Sequence, residues 1–328
     1  MKRYVDVSVV VGANTRLIFD CLDSFLKYAP ADYTFRIVVT CNQANTDVPE
    51  RLRTRFGAER LEIIENPQPR GFAENHNRIL EKSTADYMFI LNDDLIFLPN
   101  AVEKMLHFIE RPENQRIAVL SPKLLNPDGT LQPSTYSFPS LLRAFLSISG
   151  LRAFILFSPL MNRVASWLGL GRGRSRFWDH SQTVDVDTFR GACVLVRMQA
   201  VREVGLMHTF SLAGGEETEW HYRFWRRGWR VVFYPEAEVI HYGQQTIGMN
   251  PSLRNEYLKG YLYFFSQHRS RWKFYTFCVL SLSALCARWT CNVLVRRLHL
   301  ARIDLDGARI IWQWIRQPLC QMPNGEAT

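Results

Sequence analysis

Four short stretches of this chain combine residue types and spacings that suit chemistry. The first is Asn92-Asp93-Asp94, which closes the apolar run Tyr87 to Leu91. A carboxylate held at a strand end can ligate Mg²⁺ or Mn²⁺, and such an ion can bridge two phosphates. An Asp at a turn or helix start is also an ordinary cap, so both readings stand for this cluster by itself. The second is Gly214-Gly215-Glu216-Glu217-Thr218-Glu219-Trp220, glycines followed by three acids in four residues where a helical pattern opens. Carboxylates there face the positive end of a helix, again as caps or as reactive groups. A general base for a hydroxyl must be a carboxylate or an imidazole within hydrogen-bond reach, and Glu217 is the natural candidate. The third is Pro235-Glu236-Ala237-Glu238-Val239-Ile240-His241, a short strand that delivers an imidazole. A lone His is more often structural, unless a metal or phosphate lies beside it. The fourth is Phe189-Arg190-Gly191-Ala192-Cys193, where Gly191 either admits a ligand close to the backbone or merely bends a strand.

The elements that must position these residues alternate in type. Val5 to Val11 is a β-branched run ended by Gly12-Ala13-Asn14, and Leu17, Phe19, Leu22, Phe25 and Leu26 then recur at helical spacing. A second strand is expected over Phe35 to Val39 and is followed by polar Asn42 to Asp47. A third, Leu61 to Glu65, leads through Asn66-Pro67-Gln68-Pro69-Arg70-Gly71 into a helix from about Phe72 to Lys82. The fourth strand ends at Asn92-Asp93-Asp94, and a helix begins near Pro99. Strands alternating with helices predict a parallel sheet, with ligands at the carboxyl ends of its strands. The polar clusters all fall there.

Length and charge narrow the class. With 328 residues there is enough chain for one large domain and an appendage. Lys and Arg outnumber Asp and Glu by 40 to 31, which attracts nucleic acid, anionic lipid or phosphorylated substrates without choosing among them. The cations lie in apolar-flanked clusters with no recognised nucleic-acid motif, so no nucleic-acid partner is expected. Seven scattered cysteines without a CxxC pair suggest neither zinc nor a disulfide framework, and a reducing compartment fits. Met1-Lys2-Arg3 runs directly into a strand, and no signal peptide is read there.

Two apolar regions stand apart from this pattern. Leu141 to Leu170 is apolar and aromatic with sparse Arg, and Gly171-Arg172-Gly173-Arg174-Ser175-Arg176 follows it. Cations beside an apolar helix suggest interfacial membrane binding, with a lid or core helix pair as the alternative. Near the C-terminus, Phe274 to Ala287 carries no charge, but Arg288 interrupts the run before Val295. A spanning helix needs about 20 mainly apolar residues. An in-plane anchor closed by Arg296 and Arg297 is therefore expected, against the alternative of an amphipathic helix packed on the rest of the chain.

Each signal is weak and the ordered set is strong. The strand with its polar loop, Arg70-Gly71-Phe72 followed by Asn75 and Asn77, the strand ending in Asn-Asp-Asp, Gly191-Ala192, Gly-x-Glu-Glu-x-x-Trp and Pro-Glu-Ala-Glu-Val-Ile-His resemble the inverting glycosyltransferases of family 2, particularly the rhamnosyltransferase-like branch. The resemblance covers about Val5 to Thr246. It implies a GT-A fold of class α/β: a Rossmann-like, mainly parallel sheet flanked by helices, here with an apolar helical insertion and a helical tail. The catalytic domain would span 1–250, with the insertion at about 139–178, and the membrane-associated tail 251–328. Glu217 is implied as the catalytic base. Asp94 and His241 are implied as metal ligands for Mg²⁺ or Mn²⁺. Asn14, Cys41, Asn42, Arg70, Gly71, Phe72, Asn77, Asn92 and Asp93 would hold the nucleotide-sugar donor, and Gly191, Ala192, Glu216 and Trp220 the acceptor side.

Three departures from the family pattern bear on this. Gly12-Ala13-Asn14 stands where Thr-Tyr-Asn is usual, Cys41-Asn42 where Asp-Asn helps read the base, and Glu217 and Glu219 where Asp is usual. The branch points to L-rhamnose from dTDP-L-rhamnose, with UDP-galactofuranose, UDP-GlcNAc or UDP-glucose as alternatives, and an inactive membrane-associated scaffold as a further one. The expected acceptor is a polyprenyl-diphosphate-linked or envelope saccharide. The expected location is the cytoplasmic face of the cell membrane, held peripherally or monotopically at an anionic surface.

Overall fold

The computed structural model describes residues 3–12, 16–43, 47–57, 59–151, 180–212, 214–243 and 253–316. Asn14 and the greater part of the apolar insertion lie outside them. The chain forms two compact units. The first takes the described residues of 1–137, 176–209 and 217–248, and the second those of 138–175, 210–216 and 249–328. The described start of the apolar insertion, residues 139–151, groups with the C-terminal helices.

The first unit is built on a sheet in the order β3-β2-β1-β4-β10-β6-β11-β5, with β8 paired to β11. Strands β1 (Arg3–Val11), β2 (Tyr33–Cys41), β3 (Leu61–Glu65) and β4 (Tyr87–Asn92) are mutually parallel. Helices α1 (Leu17–Lys27), α2 (Val48–Phe56) and α3 (Phe72–Leu80) connect them. Beyond β4 the sheet is mixed. β6 (Ile117–Leu125) and β11 (Arg230–His241) run parallel to each other, while β5 (Leu95–Phe97), β8 (Val184–Asp185) and β10 (Cys193–Arg197) run against their neighbours. A two-stranded pair, β7 (Thr135–Tyr136) with β9 (Thr188–Phe189), stands off the main sheet. Helices α4 (Ala101–Glu110), α6 (Met198–Val204) and α7 (Glu216–Arg226) complete the unit.

The two-residue period of a strand sorts its side chains between two cores. Val5, Val7, Val9, Phe89 and Leu91 face one apolar cluster, shared with Ile18, Leu22 and Phe25 of α1. Met88, Ile90, Val194 and Val196 face the other, shared with Ala73 and Ile79 of α3 and Trp220 and Phe224 of α7. Each such side chain contributes roughly 1.5–3 kcal/mol by leaving water. Strands buried on both faces are what a sheet covered by helices on each side requires.

The second unit is helical among its described residues: α5 (Leu141–Ser149), α8 (Leu253–His268), α9 (Arg271–Leu294) and α10 (Leu298–Arg316). Ala144, Leu262, Phe265, Phe274, Phe277 and Ile311 form its core, with the Phe265 and Phe277 rings stacked 4.6 Å apart. Helix α9 is long and apolar enough to cross a membrane by length and composition. Arg288 does not break it. The guanidinium donates to the Ile148 carbonyl at 2.6 Å and lies 2.9 Å from the buried carboxylate of Asp304. Trp272, Val279, Leu294, Val295, Leu298 and Trp312, on these helices and the turn between them, are exposed.

Candidate active site

The carboxyl ends of β1, β2 and β4 are tied together by polar groups. Asp93 Oδ2 accepts from the Gly12 N–H at 2.9 Å. Burial pushes the Asp93 carboxyl up to about 7, the charge of Asp94 adds to that push, and the Gly12 N–H opposes it. At the end of β2, Asn42 braces the loop before α3: its Oδ1 accepts from Arg70 N–H at 2.8 Å, and its Nδ2 donates to the Arg70 carbonyl at 2.9 Å. Asn66 extends the brace, donating to both Asn42 Oδ1 and Asn75 Oδ1. Asn42 therefore shapes the pocket wall with an amide whose bonds go to the chain itself. Cys41 is buried in the core below, and burial pushes its thiol up to about 11.

Asp94 and His241 meet at the ends of β4 and β11. Gln132 donates from Nε2 to the carbonyl of His241 at 3.1 Å and to Asn126 Oδ1 at 3.0 Å. Its Oε1 is thereby turned toward His241 Nδ1, 2.6 Å away, and an amide oxygen can only accept. The proton of the imidazole is thus assigned to Nδ1, leaving the Nε2 lone pair facing Asn92 Nδ2 at 3.3 Å and Asp94 Oδ1 at 3.3 Å. Asp94 Oδ2 accepts from the Gly243 N–H at 3.0 Å. Oδ1, although close to the imidazole, is buried without a hydrogen-bond donor among the described residues. A buried carboxylate oxygen with no donor is costly.

An orphan oxygen and an imidazole lone pair 3.3 Å apart suit neighbouring positions around one divalent cation, whose ligands at about 2.1 Å are separated by about 3 Å. The residues present therefore fit Mg²⁺ or Mn²⁺. Gln132 acts behind the imidazole, fixing tautomer and ring orientation in the usual manner for a ligating His. Among the described residues no third acidic, His or Cys side chain joins the pair.

Strand β10 links this corner to the acidic motif. Being antiparallel to β4, it enters the sheet at the end where β4 leaves it, and the Asn92 N–H donates to the Ala192 carbonyl at 2.9 Å. The preceding residue, Gly191, leaves between Phe72 and Glu217 a space about the size of one methyl group. A Cβ built on Gly191 would lie 3.4 Å from Phe72 Cζ and 3.6 Å from Glu217 Cγ. A methyl group would just be admitted, and anything larger would displace one of the two. Phe72 is fixed in turn by an edge-on contact with His76, ring centroids 4.6 Å apart, and His76 Nδ1 lies 2.7 Å from the Ser8 hydroxyl.

Several expected site residues serve the fold. Asn77 donates to the Met207 carbonyl at 2.7 Å and accepts from its N–H at 3.1 Å, which commits its amide to a loop 130 residues away. Trp220 is buried in the second core and donates Nε1–H to the Gly205 carbonyl at 2.8 Å, so it offers no face to an acceptor sugar. Glu216 is fully buried and accepts from the Ser211 hydroxyl at 2.8 Å and the Gly214 N–H at 2.7 Å, and burial pushes its carboxyl up. Glu219, also buried, receives Arg223 Nε at 2.9 Å. Of the three acids in the motif, only Glu217 is partly exposed. Arg70 is exposed and paired with Glu74 at 2.6 Å, at the start of α3 beside Gly71. Gln132 escaped the sequence reading, because nothing in Asn126-Pro127-Asp128-Gly129-Thr130-Leu131-Gln132 points to an imidazole 109 residues on.

A parallel βα half, an antiparallel strand crossing beside it and an Asp-His corner at the strand ends define a glycosyltransferase of the GT-A class. A mannosyltransferase from Pyrobaculum calidifontis, solved with GDP-Man and Mn²⁺, superposes with a TM-score of 0.53 at 14% identity over 97% of this chain and 89% of its own. GalNAc-T7, solved with UDP, GalNAc and Mn²⁺, does so at 0.51 and 16% over 73% of this chain and 43% of its own. The family model for "Glycosyltransferase like family 2" matches residues 5–272, and the chain belongs to that family of transferases. Among curated proteins, the N-acetylglucosaminyl-diphospho-decaprenol L-rhamnosyltransferases of two Mycobacterium tuberculosis strains are 26% identical over 190 residues, 57% of this chain. The match spans about 58% of the length of those relatives.

Proposed function

We propose that this chain transfers a sugar, L-rhamnose from dTDP-L-rhamnose being favoured, onto a polyprenyl-diphosphate-linked saccharide with inversion at the anomeric carbon. The observation that carries this reading is the continuity of the site: the orphan oxygen of Asp94 faces His241, His241 faces Asn92, Asn92 is bonded to Ala192, and the preceding Gly191 has room for only a methyl group between itself and Glu217. The rhamnosyltransferase relatives favour the donor and the lipid-linked acceptor.

In this reading Asp94 and His241 would hold a divalent cation, with Gln132 keeping the imidazole lone pair turned toward Asp94. Such a cation would supply positive charge to offset that of a nucleotide diphosphate. Glu217 accepts the proton of the acceptor hydroxyl while that oxygen attacks the face opposite the leaving group. Phe72 and the bare backbone of Gly191 form the wall between donor and base. A Glu carries one methylene more than the family's usual Asp, and any side chain in place of Gly191 would come within 3.6 Å of its Cγ. The cations and exposed apolar side chains of α9 and α10 would hold the chain peripherally at the cytoplasmic face of the membrane.

Transfer from dTDP-rhamnose to a GlcNAc-diphosphate-polyprenol, measured on purified protein, tests the chemistry. Glu217→Gln and Asp94→Ala should each abolish it, and near-normal rates in both would end the proposal. Calorimetry of dTDP- and UDP-sugars with and without Mn²⁺ selects the donor. Flotation with anionic vesicles tests the membrane reading: the Leu294→Glu/Leu298→Glu double variant should float less than wild type.

A further inference from the structure

Helix α8 carries two faces. Leu258, Leu262 and Phe265 turn into the core of the second unit. Glu256, Gly260 and Tyr263 are each two residues out of step with them, about 200° around a helix of 3.6 residues per turn. That opposite stripe is given to the turn 210–216, which groups with the second unit and ends immediately before Glu217. Glu256 Oε2 accepts from the Leu212 N–H at 2.8 Å, and Lys259 donates to the other carboxylate oxygen at 2.7 Å. The rings of Tyr263 and Phe210 stack with centroids 4.3 Å apart. Between these contacts the two backbones meet directly. A Cβ built on Gly260 would lie 2.5 Å from the Gly214 carbonyl oxygen, and one built on Gly215 would lie 3.2 Å from Gly260 Cα.

A glycine inside a helix weakens it, so Gly260 calls for a reason of its own. The helical backbone of α8 gives none, because any residue adopts it; the close approach of Gly214 and Gly215 does. Those two glycines have φ of 138° and 98°, the range that favours glycine. Glu216 locks this conformation from within by accepting from the Gly214 N–H and the Ser211 hydroxyl. The turn is therefore fixed both within itself and against α8. From it the chain passes through a single peptide bond to Glu217, in the first turn of α7. Misplacing a reacting group by about 1 Å slows a reaction by about a hundredfold. We infer that Glu256 and Gly260 are positioning residues for transfer, which act by fixing the turn that presents Glu217. The inference rests on the role proposed above for Glu217 and adds what aims it.

The test uses the full-length protein, with kcat and KM for transfer measured alongside amide hydrogen exchange of residues 210–216. Gly260→Ala drives a methyl group against the Gly214 carbonyl while giving α8 a stronger helix former. It should lower kcat by about 10–100-fold, leave the donor KM unchanged and speed exchange at Leu212 and Gly214. Glu256→Ala should lower kcat about tenfold, and Glu256→Gln, which keeps an acceptor for the Leu212 N–H, should restore most of it. Phe277→Leu is the control, because its ring stacks on Phe265, on the core face of α8. Equal slowing in Phe277→Leu would reduce the effect to a loosened helical unit and overturn the inference. Wild-type kcat in both Gly260→Ala and Glu256→Ala would overturn it too. Slowing by Glu256→Gln as great as by Glu256→Ala would trace the effect to charge and overturn the part given to the hydrogen bond. Melting curves verify folding, and the Glu256 pair carries the test should Gly260→Ala fail to fold. Glu217→Gln is assayed in parallel. Transfer lost in Glu217→Gln but indifferent to Glu256 and Gly260 removes the positioning role and leaves the base. Transfer kept in Glu217→Gln but slowed by the α8 variants removes the base and leaves the hold of α8 on the rate.

Discussion

The corner formed by Asp94 and His241 and the turn carrying Glu216, Glu217 and Glu219 are both rich in buried acid, yet the fold treats them in opposite ways. In the turn, Glu216 and Glu219 are fully buried and their carboxylates meet neighbouring donors, Ser211 and Gly214 for the first and Arg223 and His208 for the second. At the corner, Asp94 keeps one oxygen buried without a donor and turned toward an imidazole lone pair. Carboxylates that the chain satisfies hold structure, while a carboxylate that it leaves unsatisfied marks where a ligand is required. Adjacent residues of one motif, Glu216 and Glu217, differ in the same sense, since the first turns into its own loop and the second faces Gly191.

This contrast can be broken or sharpened by measurement. The largest effect is expected from Glu217→Gln, which should slow transfer by about 10²–10⁴-fold while leaving thermal stability and donor affinity close to wild type. Trp220→Ala should do the reverse, removing roughly 3–5 kcal/mol of stability by denaturant titration, and a sugar-specific rise in KM at unchanged stability would restore it to the acceptor side. Gln132→Leu should weaken Mn²⁺ binding by about 10–100-fold in a calorimetric titration, and unaltered affinity would detach it from the imidazole's role. Glu216→Ala should cost about 1–3 kcal/mol of stability, with any loss of rate far smaller than in Glu217→Gln. If the two glutamates proved equally important for rate, the distinction drawn between them would be lost.

The smallest effect is a slope in pH. His76 and His221 are buried, and burial lowers each from 6.5 to about 3. Between those limits the unfolded chain binds protons that the folded chain does not, so stability falls as pH falls from about 6.5 toward 3. His221→Gln should lower the acid-limb proton uptake on unfolding by up to one, measured from stability against pH, and no change in slope would mean that the imidazole is not held neutral.

Much of this arrangement was legible in the residues. The β-branched and apolar runs of β1 to β4 and the polar stops at Gly12, Asn42, Asn66 and Asn92 predicted parallel strands with a site at their ends. Helix α2 was not among the expected elements, although Val48, Leu52 and Phe56 recur at helical spacing, because Pro49 and the charges between them dilute the pattern. The three-residue strand β5 carries no pattern of its own and exists through pairing with β11. At the site, residue type, spacing and the family resemblance put forward Asp94, Glu217 and His241 as candidates. They could not reveal that Glu216, Trp220 and Asn77 turn inward, because those outcomes depend on partners elsewhere: the 205–207 loop for Trp220 and Asn77, and the Ser211–Gly214 turn for Glu216. The branching of roles is a tertiary property.

The reversed direction of β10 has a consequence for how such a chain can diversify. One rim of the candidate site is assembled from βα turns in the first hundred residues, whereas Gly191 and Ala192 reach the same end of the sheet on the segment that leads into β10, which then runs back against β4. Segments inserted ahead of that strand can lengthen, shorten or change chemistry while the βα turns keep their geometry. Under the proposed roles, acceptor preference would be exchanged without redesign of donor recognition, and chimaeras joined just before residue 184 would be the direct way to move one specificity without the other.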